Sequence, residues 1–256
     1  MIRKPHFKFN WKYALGEIFL IFVGISLAIA FDNWNEDRKR DQLEKDVLLQ
    51  IKNELEFNQG DVTADYIKMI WGLESLIKID SVISENIPYS PEMAFDFYWI
   101  QNDEYTLPGR GGYEKLKSLG LDLIKNDSIR DYVQFTYEYA YPRVSKETTF
   151  YPDLNEFFGA YYQDHFTTNQ DTTLIFERDY LDFTIRYPYT SNVGGVAHLM
   201  HIGFVPNNFK ALKKDRSFGV MLRQSRDYRR FKIEEYKTVI DISSWLIDRI
   251  DKELKL

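Results

Sequence analysis

Two histidines three residues apart, His198 and His201 in VAHLMHIG, come nearest to a metal-binding motif in this 256-residue chain. On a helix that spacing would set two imidazoles on one face. No third histidine or neighbouring carboxylate completes a ligand set, and HExxH is absent. The pair therefore reads as polar or partly buried histidines, and His6 and His165 have no ligand-like neighbours in sequence. Pro108-Gly109-Arg110-Gly111-Gly112 has neither the GxxxxGK nor the GxGxxG spacing of a phosphate loop and follows no strand pattern, so it reads as a turn. No serine sits in a G-x-S-x-G setting, and acid pairs such as Glu234-Glu235 suit a solvated helix face. The chain has no cysteine, which removes disulfides, Cys-based zinc sites, iron–sulfur clusters and thiol nucleophiles together. We expect no catalytic residue, no cofactor and no metal ligand.

Two features remain. Phe135, Tyr137, Tyr139, Tyr141, Phe150, Tyr151, Phe157, Phe158, Tyr161 and Tyr162 crowd one stretch. Such a run either stacks on sugars or lines a ligand cleft, or forms core with half-buried tyrosines at helix junctions; the second outcome is the commoner. The other feature is Glu17, a lone acid in an apolar run. Carboxylates in such places serve ion paths, pair with a partner chain or reach back to the headgroups. Glu17, Gly24 and Ala28 fall on one helical face, and the two small residues would let a second transmembrane helix approach closely.

That face exists only if the segment around it spans a bilayer. Tyr13 to Phe31 is nineteen residues long with one charge. As a helix it measures roughly 28 Å, close to the hydrocarbon thickness. Trp11 and Tyr13 bracket it on one side, Phe31 and Trp34 on the other, as an interfacial belt requires. Its eleven Leu, Ile, Val and Phe residues, at about -0.3 to -0.6 kcal/mol each, outweigh a mid-bilayer carboxylate at roughly +3. A cleaved signal peptide is the competing reading, since Ala28-Ile29-Ala30 has the A-x-A shape. The apolar run is longer than a usual signal core, and the helical pattern continues past Phe31. Residues 1–12 carry Arg3, Lys4, Lys8 and Lys12 and no acid, which favours a cytoplasmic N-terminus. The expected organisation is a basic tail over 1–12, a transmembrane helix over 13–31 and a soluble domain over 32–256.

Gly16-Glu17-Ile18, Gly24-Ile25, Ala28 and Asn33-Trp34-Asn35-Glu36 followed by Arg38-Lys39 match a pattern GEIxLxxxGIxxAxxxxNWNExRK. This opening resembles a family of single-pass inner-membrane proteins of Gram-negative bacteria that carry a domain of unknown function. Gly112-Tyr113-Glu114-Lys115-Leu116-Lys117-Ser118-Leu119-Gly120-Leu121, continuing through Ile124 and Asn126 to Ile129-Arg130, resembles the family's middle segment. The resemblance covers about a quarter of the chain. It implies a mostly helical protein anchored in the inner membrane with its domain in the periplasm, and it implies no activity.

Periodicity sets the rest. Leu43, Val47, Ile51 and Leu55, with Leu48 beside them, form one apolar stripe on a charged helix that prolongs the transmembrane segment into a rod of about 45 residues. Asn58 to Asp61 predicts a break, with a second helix from Val62 to about Ser84. Short helices follow, ending near Gln101, over Tyr113–Leu119, from a Ser128 cap to about Tyr141 where Pro142 stops it, and over Asp153–Tyr162. Residues 148–205 form an irregular insert, in which Thr172–Tyr187 is extended or helical and Asn192–Gly195 a turn. Asn207 or Asn208 caps a long C-terminal helix with a possible interruption at Gly219. On that helix Tyr236, Val239, Leu246, Ile250 and Leu254 form the stripe that pairs antiparallel with the first. The fold class is mainly α, a helical-bundle-like domain on a transmembrane stem.

Composition sets the function classes. Aromatics at 16% exclude disorder, and a net charge of -6, concentrated to -9 on residues 32–256 once the N-terminal bases and Glu17 are set aside, gives no nucleic-acid footprint. The expected partners are the lipid bilayer and a membrane protein or a second copy. The expected function is a periplasmic interaction module, scaffold or sensor-like, for a protein or a ligand. The alternative is an anchored envelope enzyme with a carboxylate-based site within 148–205.

Overall fold

One helix dictates the layout. In the computed structural model, which describes residues 11–146, 148, 150–171, 173–174, 176–180, 183–187, 190–193, 196–199 and 203–255, α1 runs unbroken from Trp11 to Ser84. At 1.5 Å per residue it is about 110 Å long. The break expected at Asn58–Asp61 is absent. Asn58 does not cap a new helix: its fully buried amide turns sideways and pairs with Gly109, donating to the carbonyl at 3.0 Å and accepting the N–H at 2.8 Å. Gly60 costs about 1 kcal/mol in a helix interior, and burial of Leu55 and Val62 on either side offsets it. The helix ends in a Schellman motif. Asn86 takes a left-handed φ of 55°, Ile87 N–H bonds Val82 O, and Asn86 N–H bonds Ile83 O before Pro88.

The C-terminal helix α8, Arg216–Leu254, lies antiparallel along α1. Lys52 meets Asp251 at 2.6 Å, Gln59 meets Ser244 at 2.6 Å, and Asp80 meets Arg226 at 3.4 Å, so one index falls as the other rises. Val47, Leu48, Ile51 and Leu55 share a core with Tyr236, Val239, Leu246 and Ile250, as the two stripes predict. Asp215 caps α8 by accepting from Ser217 and Phe218 N–H. Asn208 instead caps the four-residue α7, Phe209–Leu212, so the expected cap belongs to a different helix, and α8 passes through Gly219 without interruption.

Around this pair the remaining elements form two groups. The stem-side core adds α3 (Gly111–Leu119), a 3-10 turn (Leu121–Leu123), α4 (Asp127–Phe135), a π-turn (Thr136–Ala140) and α5 (Tyr141–Val144). The cap of α4 is Asn126, accepting from Ile129 N–H, rather than Ser128. Pro142 does not stop the run at Tyr141. The wide π-turn precedes a residue that has no N–H to donate, and the helix ends two residues later. Gly112 is required where α3 begins, since a Cβ there would lie 3.2 Å from the Ile51 backbone nitrogen.

The distal core joins α1 to α2 (Met93–Gln101), α6 (Leu154–His165) and the first half of α8 through Ile79, Phe97, Phe158 and Phe218. The insert is more regular than its sequence suggests. β1 (Phe166–Thr168) pairs antiparallel with β6 (Phe204–Pro206); β2 (Phe176–Tyr180) with β3 (Phe183–Tyr187); and β4 (Thr190–Val193) with β5 (Val196–Leu199). The ambiguous 172–187 stretch thus contains a hairpin. The expected turn joins β4 to β5, although Gly194 and Gly195 themselves lie outside the described residues.

Ile51→Asp and Leu246→Asp should each lower stability by about 3 kcal/mol or more, by burying an unpaired charge in the stem-side core. Gly112→Ala should cost about 1–3 kcal/mol through overpacking against Ile51. Denaturant unfolding of the purified protein followed by circular dichroism measures all three, and wild-type midpoints for the Asp variants would contradict the pairing.

Candidate functional site

Every described side chain from Leu15 to Trp34 is exposed except Val23, which is partly so, and the apolar stretch reaches a mean hydropathy of 2.1 with none of it buried. This helix is long and apolar enough to cross a membrane. Glu17, Gly24 and Ala28 are among the exposed residues, and nothing lies within 4 Å of where a Gly24 Cβ would stand. Above them Trp34 packs on Phe31 at 5.7 Å and Arg38 lies 5.9 Å over Trp34. Because α1 is continuous, the direction of this face is locked to the domain. At 100° per residue Gly24 points about half a turn away from Ile51, so a helix docking on Gly24 arrives on the side of α1 facing away from α8.

The aromatic run divides between interior and surface. Tyr137, Tyr141, Phe158 and Tyr162 are buried, and Tyr137 stacks on Tyr113 at 4.7 Å. Phe135, Tyr139 and Phe150 face outward, and Tyr132, from the preceding turn, joins them. The π-turn makes this division. One extra residue in the turn sends Thr136, Tyr137, Ala140 and Tyr141 all inward and leaves Phe135 and Tyr139 together outside, 4.8 Å apart. Trp245 of α8 packs on Tyr132 at 4.3 Å. Arg143 caps the row, lying 4.2 Å over Tyr139 and 5.1 Å over Phe150, with its charge paired to Glu235 at 2.5 Å. A cleft of about 470 Å³ opens between Asp131, Tyr132, Phe135 and Ile242. The 3- and 4-residue spacing of Tyr132, Phe135 and Tyr139 was present in the sequence. Trp245, more than a hundred residues away, carried no such signal.

A second constellation, invisible in the sequence, lies where the two cores meet. Arg229 and Lys232 of α8 and Asp103 after α2 are all buried. Asp103 Oδ2 accepts from the Lys232 ammonium, from Tyr105 OH at 3.1 Å and from Leu154 N–H at 2.9 Å. Lys232 also donates to Pro152 O at 3.0 Å. Arg229 donates to Asn102 O at 2.7 Å and Ile100 O at 3.3 Å. Its guanidinium lies against Gly72, where a Cβ would come within 2.5 Å of Cζ. Burial pushes the Lys232 pKa down, and Asp103 opposes that shift. Burial and the Asp103 charge both push the Tyr105 hydroxyl up, so it stays a neutral donor. Asp65 is also raised by burial, while it accepts from Thr106 at 2.9 Å. The chemistry these groups perform on one another is attachment: they fasten the 102–106 segment and the start of α6 to α8.

The remaining sequence features have plain positions. Glu54 accepts Gly112 N–H at 2.8 Å and Asn58 holds both polar groups of Gly109, so α1 already occupies the glycine loop's amides. His198 falls in strand β5, not on a helix, and His201 lies outside the described residues. His165 is exposed and stacked on Tyr161 at 4.0 Å. Among the described residues no three His, Asp or Glu side chains are gathered to hold a metal.

Asp103→Asn should destabilise the fold by about 3–5 kcal/mol, because it strands a buried ammonium. The double variant Asp103→Asn with Lys232→Met should cost clearly less than the two single changes together. Additive losses in denaturant unfolding would mean that the pair is not coupled. Compared with known proteins, the chain matches no family model, no curated protein and no solved structure.

Proposed function

We propose that this chain is a single-pass inner-membrane protein, N-terminus in the cytoplasm, whose periplasmic helical domain is an interaction module rather than an enzyme. The observation that carries the reading is the exposed aromatic row on α4–α5, a face of half-exposed rings of the kind that marks an interaction surface. The continuous α1 supports it mechanically, since a helix without a break holds that row at a fixed height above the membrane. The basic tail and apolar span support the orientation, and the family resemblance of the N-terminal motif agrees with it. The Glu17, Gly24, Ala28 face is the contact for a second transmembrane helix, either another copy or a separate membrane protein. A span with a cytoplasmic tail of only twelve residues passes any signal onward through that partner.

Single cysteines replacing the exposed Ser128 and Ser217 in this cysteine-free chain should react with a membrane-impermeant maleimide once the outer membrane is permeabilised. Labelling only after the inner membrane is lysed would reverse the orientation. In a membrane two-hybrid assay, Gly24→Leu should weaken association more than Ser26→Leu, which lies about 200° further round the helix. Glu17→Gln should reduce association by a graded amount, because an intramembrane hydrogen bond contributes only about 0.6–2 kcal/mol. Equal behaviour of the two Leu variants would remove the proposed contact.

A further inference from the structure

We propose that the Tyr132, Phe135, Tyr139 and Trp245 face binds a neutral β-1,4-linked hexopyranose oligosaccharide. This names the ligand of the interaction module but rests only on the aromatic face, not on the membrane orientation.

The exposed side chains of this face are rings. Ile242 at the floor of the cleft is partly buried, and no exposed Leu, Val or Met interrupts the row. A groove for an amphipathic helix would instead offer pockets for aliphatic anchors. Each ring is preceded by a planar hydrogen-bonding side chain: Asp131 before Tyr132, Gln134 before Phe135 and Glu138 before Tyr139. A flat ring meets the C–H face of a pyranose, and a carboxylate or amide beside it takes the equatorial hydroxyls. Glu138 is already oriented for this by Tyr113 OH at 2.6 Å and Gln134 at 3.0 Å, which leave it further lone pairs.

The rings are also held in place before any ligand arrives. Tyr132 rests on Trp245, Phe135 on Tyr139, and Tyr139 beneath Arg143, so little side-chain freedom is lost on binding. Positions 132, 135 and 139 follow one another at about 4.5 and 6 Å along a helix axis, close to the ring-to-ring repeat of an extended β-1,4-linked chain. The neighbouring cleft of about 470 Å³ extends the row sideways beside Ile242.

The test uses the full chain in lipid nanodiscs, titrated calorimetrically with cellohexaose and, in parallel, maltohexaose. Saturable binding of cellohexaose, weaker binding of the curved α-linked maltohexaose, and at least a fivefold loss for Tyr139→Leu and for Phe135→Leu are expected. Leu keeps apolar bulk but removes the flat ring, and Phe231→Leu, an exposed ring elsewhere on α8, should bind like wild type. Should Tyr139→Leu melt below wild type, Tyr132→Leu takes its place. No saturable binding of cellohexaose overturns the proposal, as does binding that the Leu variants leave unchanged. A protein crosslinked at position 139, retained in Tyr139→Leu without any sugar binding, would make the face a protein-docking surface instead. Reversed topology in the labelling experiment would leave the sugar titration unaffected, so the two readings fail separately.

Discussion

The antiparallel contact between α1 and α8 is the constraint on which everything else depends. Neither helix has an alternative partner of comparable length, and both cores are strung along the line where they touch. The smaller elements are attached to that line through α1 and α8 side chains rather than through one another. Asn58 and Glu54 hold the glycine loop and the start of α3. Arg229 and Lys232 hold the segment after α2 and the segment before α6. Each of these ties is a polar group inside a packed interior, worth keeping only because every partner is in place.

The polar ties also explain why a helix 74 residues long stays one helix through Asn58 and Gly60. Local propensity favours a break there, since Asn competes with the backbone and Gly adds entropy to the unfolded chain. Packing and the lateral bonds of Asn58 outweigh both. The consequence reaches the membrane, because an uninterrupted helix transmits rotation. The face bearing Glu17 and Gly24 is fixed on the side opposite the bundle, and a hinge at residue 60 would have left that relation open.

The surface row of aromatics arises from a local irregularity. In a regular α-helix, adjacent positions such as 136 and 137, followed by 140 and 141, would not all face the core in register with their neighbours. The π-turn places all four inside, which gives Tyr137 and Tyr141 to the core and gathers Phe135 and Tyr139 outside. Its position just ahead of Pro142 links a backbone requirement, room for a residue without an N–H, to the arrangement of a surface.

The sequence alone determined the elements whose cause is periodicity. The apolar span, the Leu43–Leu55 stripe and its Tyr236–Leu254 partner follow from spacing, because burial of one face requires residues three and four apart whatever the rest of the chain does. Gly120 as the end of α3 was equally readable, since its φ of 99° suits glycine. Tertiary structure decided the rest. Whether Asn58 caps or ties, whether Ser128 or Asn126 starts α4, and whether Arg229 is buried depend on a partner many residues distant. A single side chain's local signal is then smaller than the desolvation and hydrogen-bond energy that the partner supplies. The aromatic row needed both: the spacing of Tyr132, Phe135 and Tyr139 was written along one helix, but Trp245 joined them only when α8 was laid beside it.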